Sequence, residues 1–179
     1  MADTEKYYDF HCGNDPRLVK VAIKNESFHT LTIRSHIARA IDFSGGTALI
    51  ETIRLSKCVK ASRIIWPEHT GAIKRLFISN NDNIVKLDIS TLTSLEELSI
   101  LNCRSLEDIV GMPDTMKEIN IHYAKIKELN LQRCGKLQKI NIITNAAAFN
   151  LDLTDHKKVQ MAMVTTSKSI YNEKKPSTI

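Results

Sequence analysis

The sequence predicts a strand-rich α/β solenoid, with a parallel β-sheet on one side and short helices, or none, on the other. Three observations predict it. Apolar triplets recur with a period of about 22 residues, a second series of triplets lies half a period away, and the segments between them are too short for a full helix. Because one strand-turn-strand unit cannot bury its apolar edge alone, successive units must stack on a shared core.

The first series of triplets is the clearest repeat in the chain. Residues 73–81 and 95–103 share one frame, 22 residues apart, and both read L-x-x-L-x-L-x-x-N/C, where L stands for an aliphatic residue. Extended along the chain, this frame gives six triplets: Phe28/Leu31/Ile33, Ile50/Ile53/Leu55, Ile73/Leu76/Ile78, Leu95/Leu98/Ile100, Met116/Ile119/Ile121 and Leu137/Ile140/Ile142. All eighteen positions are apolar, which a chain that is 42% apolar would produce by chance roughly once in several million trials. Each triplet is therefore predicted to be a short strand with one buried face.

A second series of apolar triplets lies about half a period from the first. Its members are Ala38/Ile41/Phe43, Ala61/Ile64/Trp66, Ile84/Leu87/Ile89, Leu106/Ile109/Gly111, Ile126/Leu129/Leu131 and Ala148/Leu151/Leu153. Gly111 is the one position of this series that is not apolar. Each turn therefore holds two halves of about 11 residues, and each half carries a short alternating strand.

The whole chain, residues 1–179, is predicted to be a single domain, which agrees with the usual size of one domain. We expect residues 1–27 to form an amino-terminal cap, residues 28–155 to form about six repeats, and residues 156–179 to form a carboxy-terminal cap with a basic tail. The cap predictions depend on degenerate copies of the triplets: Tyr8/Phe10, Leu18/Val21/Ile23 and Val159/Ala162/Val164. These copies would cover the two ends of the apolar core.

The repeats from about Phe28 to Leu153 resemble the leucine-rich repeat family. The family's L-x-L-x-x-N/C signature is present in the segments at Leu76, Leu98 and Leu129. Residues 112–116 are similar to the L-P-x-x-L link of bacterial-type repeats, while the second half of each turn is more strand-like than in helix-bearing members. The resemblance implies a recognition surface on the exposed side of the first-series sheet. A right-handed parallel β-helix, which also has two or more strands per turn, is the alternative fold.

The cysteines are predicted to be buried, reduced thiols. Cys58, Cys103 and Cys134 each follow a strand-defining aliphatic residue by five positions, where a small side chain would face inward. Cys58 and Cys103 would lie two turns apart, about 10 Å, which exceeds the roughly 7 Å limit for a disulfide. Cys12, beside His11, is assigned to packing in the amino-terminal cap, with metal binding as the less favoured alternative. The chain has no C-x-x-C, H-x-x-x-H, H-E-x-x-H or G-x-S-x-G pattern, so no metal, cofactor or catalytic residue is predicted.

The candidate binding surface is the outer face of the first-series sheet. Because side chains alternate across a strand, the residues between and just after the buried aliphatics should point to solvent. They form two columns, Thr32/Arg54/Phe77/Ser99/Asn120/Asn141 and Arg34/Ser56/Ser79/Leu101/His122/Ile143. Phe77, Leu101 and Ile143 are apolar at positions that should face water, and Tyr123 lies beside them. The predicted partner-binding residues are Arg54, Phe77, Ser99, Leu101, Asn120, His122, Tyr123 and Ile143.

The function predicted from this surface is a non-catalytic protein–protein interaction module or adaptor. One alternative is a carbohydrate-active β-helix enzyme, whose best candidate carboxylates are Asp88 and Asp108 on successive second-series turns. The other is binding of an anionic surface or nucleic acid through the basic tail, with Lys157, Lys158, Lys168, Lys174 and Lys175. The net charge is +5, but the basic residues are interleaved with 20 acidic residues along the chain. This mixed distribution does not favour binding of nucleic acid.

Targeting signals are weak. No apolar run reaches the roughly 18 residues of a membrane span, and the acidic opening, residues 1–10, lacks the features of a secretory signal. A cytoplasmic location is therefore expected, with a secreted effector as the alternative. Ser177-Thr178-Ile179 resembles the carboxy-terminal ligand of PDZ domains, a pattern with little specificity.

Overall fold

The computed structural model describes residues 7–11, 19–20, 27–34, 39–46 and 49–166. The predictions for Cys12, Leu18, Val21, Ile23 and residues 167–179 lie outside these ranges. The strands are β1 (Tyr7–His11), β2 (Val19–Lys20), β3 (Ser27–Arg34), β4 (Ala40–Asp42), β5 (Leu49–Ser56), β6 (Arg63–Ile65), β7 (Arg75–Ser79), β8 (Lys86–Asp88), β9 (Glu97–Leu101), β10 (Asp108–Val110), β11 (Glu118–Ala124), β12 (Lys139–Thr144) and β13 (Met161–Thr166). One 3₁₀ turn, Thr70–Ala72, precedes β7.

Within the described ranges, the protein is a strand-rich parallel β-solenoid of about six turns with almost no helix. One eight-stranded sheet has the order β1-β3-β5-β7-β9-β11-β12-β13, and every pair in it is parallel. The other side of each turn forms smaller parallel sheets, β2-β4-β6 and β8-β10. The first series of triplets therefore builds the continuous sheet, and the second series builds the interrupted one.

The strand register stacks each first-series residue on its equivalent in the next turn. The middle column runs Leu31, Ile53, Leu76, Leu98, Ile119 and Ile140, and each of these side chains is 0% exposed. All eighteen predicted first-series positions belong to one buried cluster. The prediction of a shared apolar core is confirmed for this series, and hydrophobic burial along it is the main stabilising contribution.

The second series packs less completely than predicted. Ile41, Leu87 and Ile109 are buried, whereas Ile64, Trp66, Leu151 and Leu153 are only partly buried. The Trp66 ring stacks on Phe43, with centroids 6.1 Å apart, and its indole Nε1 donates to the Asp88 carbonyl oxygen at 2.7 Å. The prediction is wrong for Ala148, which is exposed because it precedes the isolated bridge between Glu128 and Asn150 instead of lying in a strand.

Two described strands lie in the region predicted to be the amino-terminal cap. β1 pairs with β3 and places Tyr8 opposite Leu31 and Phe10 opposite Ile33, the register expected for a degenerate first strand. β2 has two residues and places Val19 opposite Ile41, whereas Leu18, Val21 and Ile23 lie outside the described residues.

The last described strand, β13, follows the predicted register but is poorly covered. Ala162 lies opposite Ile140 and Val164 lies opposite Ile142, yet both side chains are exposed, Val164 by 40%. These two side chains are exposed because β13 is the outermost strand of the sheet among the described residues. Val159 packs partly against the core.

A corner with a left-handed residue ends four of the first-series strands. Lys57, Asn80, Asn102 and Tyr123 have φ between 53° and 61°, and each is followed by a buried residue with a small or compact side chain: Cys58, Asn81, Cys103 and Ala124. The Asn81 Oδ1 accepts hydrogen bonds from the backbone N–H groups of Asn83 and Ile84 at 3.0 and 3.2 Å. The inward slot predicted for Cys58 and Cys103 is therefore confirmed, while Cys134 is buried at the opposite corner, before β12.

Gly111 provides a test of the close packing between turns. Its φ is +82°, and a Cβ at this position would lie 2.3 Å from the Ser90 Cα. Gly111→Ala should therefore lower the free energy of unfolding by more than about 2 kcal/mol, measured by urea denaturation. Gly135→Ala is the matched control, because its added Cβ would meet nothing within 4 Å. Equal stability of the two variants would contradict the close approach of these turns.

The thiols provide a second test. Burial raises the pKa of the Cys103 and Cys134 thiols to about 11, so little thiolate exists at pH 8. We expect iodoacetamide to label both residues far more slowly in the folded protein than in urea, measured by peptide mass spectrometry. Unreduced protein should contain no disulfide among Cys58, Cys103 and Cys134; any linked pair would show that the register is wrong.

Candidate binding surface

The front face is defined here as the outward-facing side chains of β3, β5, β7, β9, β11 and β12. The strand register aligns the two predicted columns as expected: Arg54 lies opposite Phe77, Phe77 opposite Ser99, and Ser99 opposite Asn120. In the second column Leu101 lies between Ser79 and His122, and Ile143 follows His122. All eight predicted partner-binding residues therefore lie on this face or at the turn beside it.

The apolar members of the front face differ in exposure. Leu101 and Tyr123 are each 40% exposed, as predicted. Phe77 and Ile143 lie on the same outer face but are half-buried. The Arg54 guanidinium covers the Phe77 ring, with Cζ 4.0 Å from the ring centroid, and Ile143 has strands on both sides of it.

His122 connects the two columns on the carboxy-terminal side of the front face. The Asn141 Nδ2 donates to His122 Nε2 at 2.9 Å, an arrangement that requires this nitrogen to be unprotonated. The Tyr123 ring meets the His122 ring edge-on, with centroids 6.2 Å apart. Among the described side chains, the Oδ1 atoms of Asn120 and Asn141 are shielded from solvent and have no hydrogen-bond partner.

A third column of the front face was missed by the sequence analysis. It consists of Thr30, Thr52, Arg75, Glu97, Glu118 and Lys139, which lie opposite one another in register, two residues before the first predicted column. Extending the alternation of inward and outward side chains by two residues toward the amino terminus of each strand would have found this column. The L-x-x-L spacing breaks that alternation, because it places two polar residues between the first two apolar ones, so it predicts strands that begin later.

Ion pairs bridge neighbouring turns along this third column. The Arg75 Nη2 lies 2.8 Å from a Glu51 carboxylate oxygen, and its Nε donates to the Thr52 hydroxyl at 2.9 Å. Lys117 pairs with Glu96 at 2.8 Å, and Lys139 pairs with Glu118 at 3.5 Å. Pairs as exposed as these contribute little to stability individually, but they set which charges remain available to a partner.

Glu97 is the carboxylate of this column that has no ion pair among the described residues. It lies in register between Arg75 on β7 and Glu118 on β11. Burial, followed by repulsion from Glu118, raises the pKa of the Glu97 carboxyl, and attraction to Arg75, Arg54 and Lys139 only partly opposes this. The charged form of Glu97 is therefore unfavourable in the isolated protein.

The carboxylates of the alternative enzymatic hypothesis have structural roles. The Asp88 Oδ1 accepts the Ser90 N–H at 2.9 Å, and this turn lowers the pKa of the Asp88 carboxyl. The same turn recurs at Asp42, Asn130 and Asp152, each of which accepts from the backbone two residues later. Asp108 lies opposite Lys86 and pairs with it at 3.3 Å.

The described ranges contain no group of three or more His, Cys, Asp or Glu residues arranged to hold a metal ion. In the same ranges, no helix has the length and apolar character needed to cross a membrane. No known family model and no curated protein sequence matches the chain.

Glu97 gives a prediction about stability and pH. Because its pKa is raised in the folded protein, the ionised carboxyl reduces stability as pH rises through the folded pKa, and this cost disappears below the unfolded value of about 4.3. Glu97→Gln should therefore raise the melting temperature at pH 7, and this increase should vanish near pH 3.5. Glu107→Gln, an exposed substitution outside the front face, is the control and should leave the melting temperature unchanged.

Proposed function

We propose that this protein is a non-catalytic binding module that recognises a protein partner through the front face. It acts without a small-molecule cofactor. Its proposed location is the cytoplasm, where buried thiols such as those of Cys103 and Cys134 stay reduced. The proposal follows from the chemistry of the exposed side chains and from the way the solenoid arranges them.

We further propose that the solenoid is a short, strand-rich form of the leucine-rich repeat. Two observations support this over a β-helix. Successive first-series strands are 21 to 23 residues apart, and the slot at the end of β5, β7, β9 and β11 holds a buried Cys, Asn or Ala behind a left-handed residue. The Asn81 side chain accepts hydrogen bonds from the backbone N–H groups of this corner, which is the role expected of Asn at the N/C position of the motif.

The observation that carries the binding proposal is the row of apolar and aromatic side chains on the second column. Leu101, His122 and Ile143 follow one another in register, and Tyr123 extends the row at the turn. Phe77 lies diagonally across from Leu101, on the neighbouring strand. Aromatic and aliphatic groups with a polar surround are typical of the residues that dominate protein interfaces. Parallel strands also hold these groups in a fixed arrangement before any partner arrives, which lowers the entropic cost of binding.

The non-catalytic part of the proposal is supported by the roles of the best acidic candidates. Asp88 is a turn residue that recurs in other turns, and Asp108 is ion-paired across the strand to Lys86. Both lie on the side of the solenoid opposite the front face, on exposed parts of short strands. A glycosidase would need two carboxylates gathered around one bond, at a separation of about 5 to 10 Å and with different environments.

A cross-linking experiment tests the binding proposal. A photo-reactive benzoylphenylalanine in place of Leu101 should cross-link a discrete partner in the cells that express the protein. The same group in place of Val85, which is 51% exposed outside the front face, is the matched control and should not cross-link that partner. Cross-linking of the same partner from both positions, or from Val85 alone, would contradict the proposal.

The partner identified in this way then allows a quantitative test. Leu101→Ser should weaken its affinity by about tenfold or more, which corresponds to about 1.4 kcal/mol. The free energy of unfolding should change by less than about 1 kcal/mol, because the side chain is exposed. Val85→Ser should change neither quantity. Binding that survives Leu101→Ser unchanged would place the interface elsewhere.

A further inference from the structure

The centre of the front face contains four adjacent residues that can all accept hydrogen bonds. Glu97 and Ser99 belong to β9, and Glu118 and Asn120 lie opposite them on β11. Neighbouring strands are about 4.8 Å apart, and alternate residues on one strand are about 6.6 Å apart. The four residues therefore form a compact patch, here named the acceptor square.

The cations that flank the acceptor square are already engaged. The Arg75 guanidinium donates to Glu51 and Thr52, and Lys139 is shared with Glu118. The Arg54 guanidinium lies over the Phe77 ring. Glu97 consequently retains a carboxylate without an ion pair among the described residues, although Arg75 lies opposite it on β7.

A second, independent feature of the square is an amide oxygen without a donor. The Asn120 Oδ1 is shielded from solvent, and no described group hydrogen-bonds to it. A shielded polar atom without a hydrogen bond is destabilising, because its hydrogen bonds to water are lost on folding and not replaced. The square therefore combines a carboxylate without an ion pair and an unsatisfied amide oxygen, and a ligand that brings several N–H donors would pair with the carboxylate.

We propose that the acceptor square binds an arginine side chain of the protein partner. This inference rests on the proposed function and names the chemistry of its partner. The guanidinium group has five N–H donors in a rigid plane, which suits acceptors spread over two neighbouring strands better than the single ammonium of lysine. A carboxylate or phosphate ligand would meet Glu97 and Glu118 and be repelled.

The position of the square relative to Leu101 specifies the neighbouring residue of the partner. Leu101 lies two residues after Ser99 on β9, on the same face of the sheet and about 6.6 Å further along the strand. In an extended peptide, residues two positions apart have about the same spacing. The preferred partner segment is therefore an extended Arg-x-apolar sequence, with its arginine in the acceptor square and its apolar residue on Leu101.

The properties of Glu97 in the free protein agree with this role. Its carboxylate is held beside Glu118 in a partly buried position, which favours the uncharged form. A group placed at a cost to stability is typical of binding sites, where a ligand removes the cost. A positively charged guanidinium between the two carboxylates would do this.

A peptide selection tests the inference. Random twelve-residue peptides displayed on phage are selected on the folded protein, and the enriched peptides are synthesised. We expect enrichment of arginine, with an apolar residue two positions away. Such a peptide should bind the Glu97→Gln/Glu118→Gln variant at least about tenfold more weakly, while Glu107→Gln leaves its affinity unchanged. Arginine→Ala in the peptide should cause a similar loss, and the two changes together should be less than additive.

The outcomes separate this inference from the proposed function. Peptides that lack arginine but lose affinity for Leu101→Ser would overturn the inference and leave the proposed function intact. Equal affinity for the wild type and the Glu97→Gln/Glu118→Gln variant would also overturn it. Peptides whose affinity is unchanged by Leu101→Ser and by Glu97→Gln/Glu118→Gln would count against the front face as a binding surface. A selection that enriches no peptide would count against it too. Selection of lysine in place of arginine would overturn the choice of a guanidinium.

Discussion

Backbone hydrogen bonding between equivalent residues of successive turns is the constraint on which this structure depends. It extends beyond the strands, since Lys74 N donates to Glu51 O, Glu96 N to Lys74 O, Lys117 N to Glu96 O and Gln138 N to Lys117 O, each at 2.8 Å. Such pairing leaves each residue stacked on its own equivalent. A slip by one residue would turn every core aliphatic to solvent, so the apolar pattern and the hydrogen bonds select the same register.

The same stacking determines what the outer surface can look like. Side chains on the front face meet their equivalents about 4.8 Å away, so like charges cannot follow one another without cost. Most of the charged positions obey this rule by alternating in sign, as at Glu51, Lys74, Glu96 and Lys117. The Glu97 and Glu118 pair departs from it in the middle of the sheet. This departure is the electrostatic feature on which the proposed arginine site depends.

The two sides of the solenoid are not equally regular, and the difference has a structural cause. The first-series strands continue through the described sheet without interruption, because the corners after them repeat the same left-handed residue and buried slot. On the other side, short turns closed by Asp42 and Asp88 end β4 and β8, and equivalent turns at Asn130 and Asp152 follow the isolated bridge between Glu128 and Asn150. After β10, Gly111 stands at the position of this turn, and its backbone lies close to that of Ser90 in the preceding turn of the solenoid. A wide, continuous surface is therefore available on the front face.

Much of the fold could be predicted from the sequence, because a solenoid is encoded by spacings within each turn. The eighteen first-series positions, the two outer columns and the inward slot of Cys58 and Cys103 all follow from local periodicity. The candidate surface was located by the same alternation. The third column was missed because the strands begin one step earlier than the L-x-x-L spacing suggests.

The sequence by itself determined which residues face inward, since the period of two along a strand and of about 22 along the chain are properties of the amino-acid order. The tertiary structure alone decided which neighbours the outward residues meet. It placed Arg54 over Phe77, paired Arg75 with Glu51 and left Glu97 unpaired. These contacts join residues from different turns, and they depend on side-chain geometry that no spacing within one turn can specify.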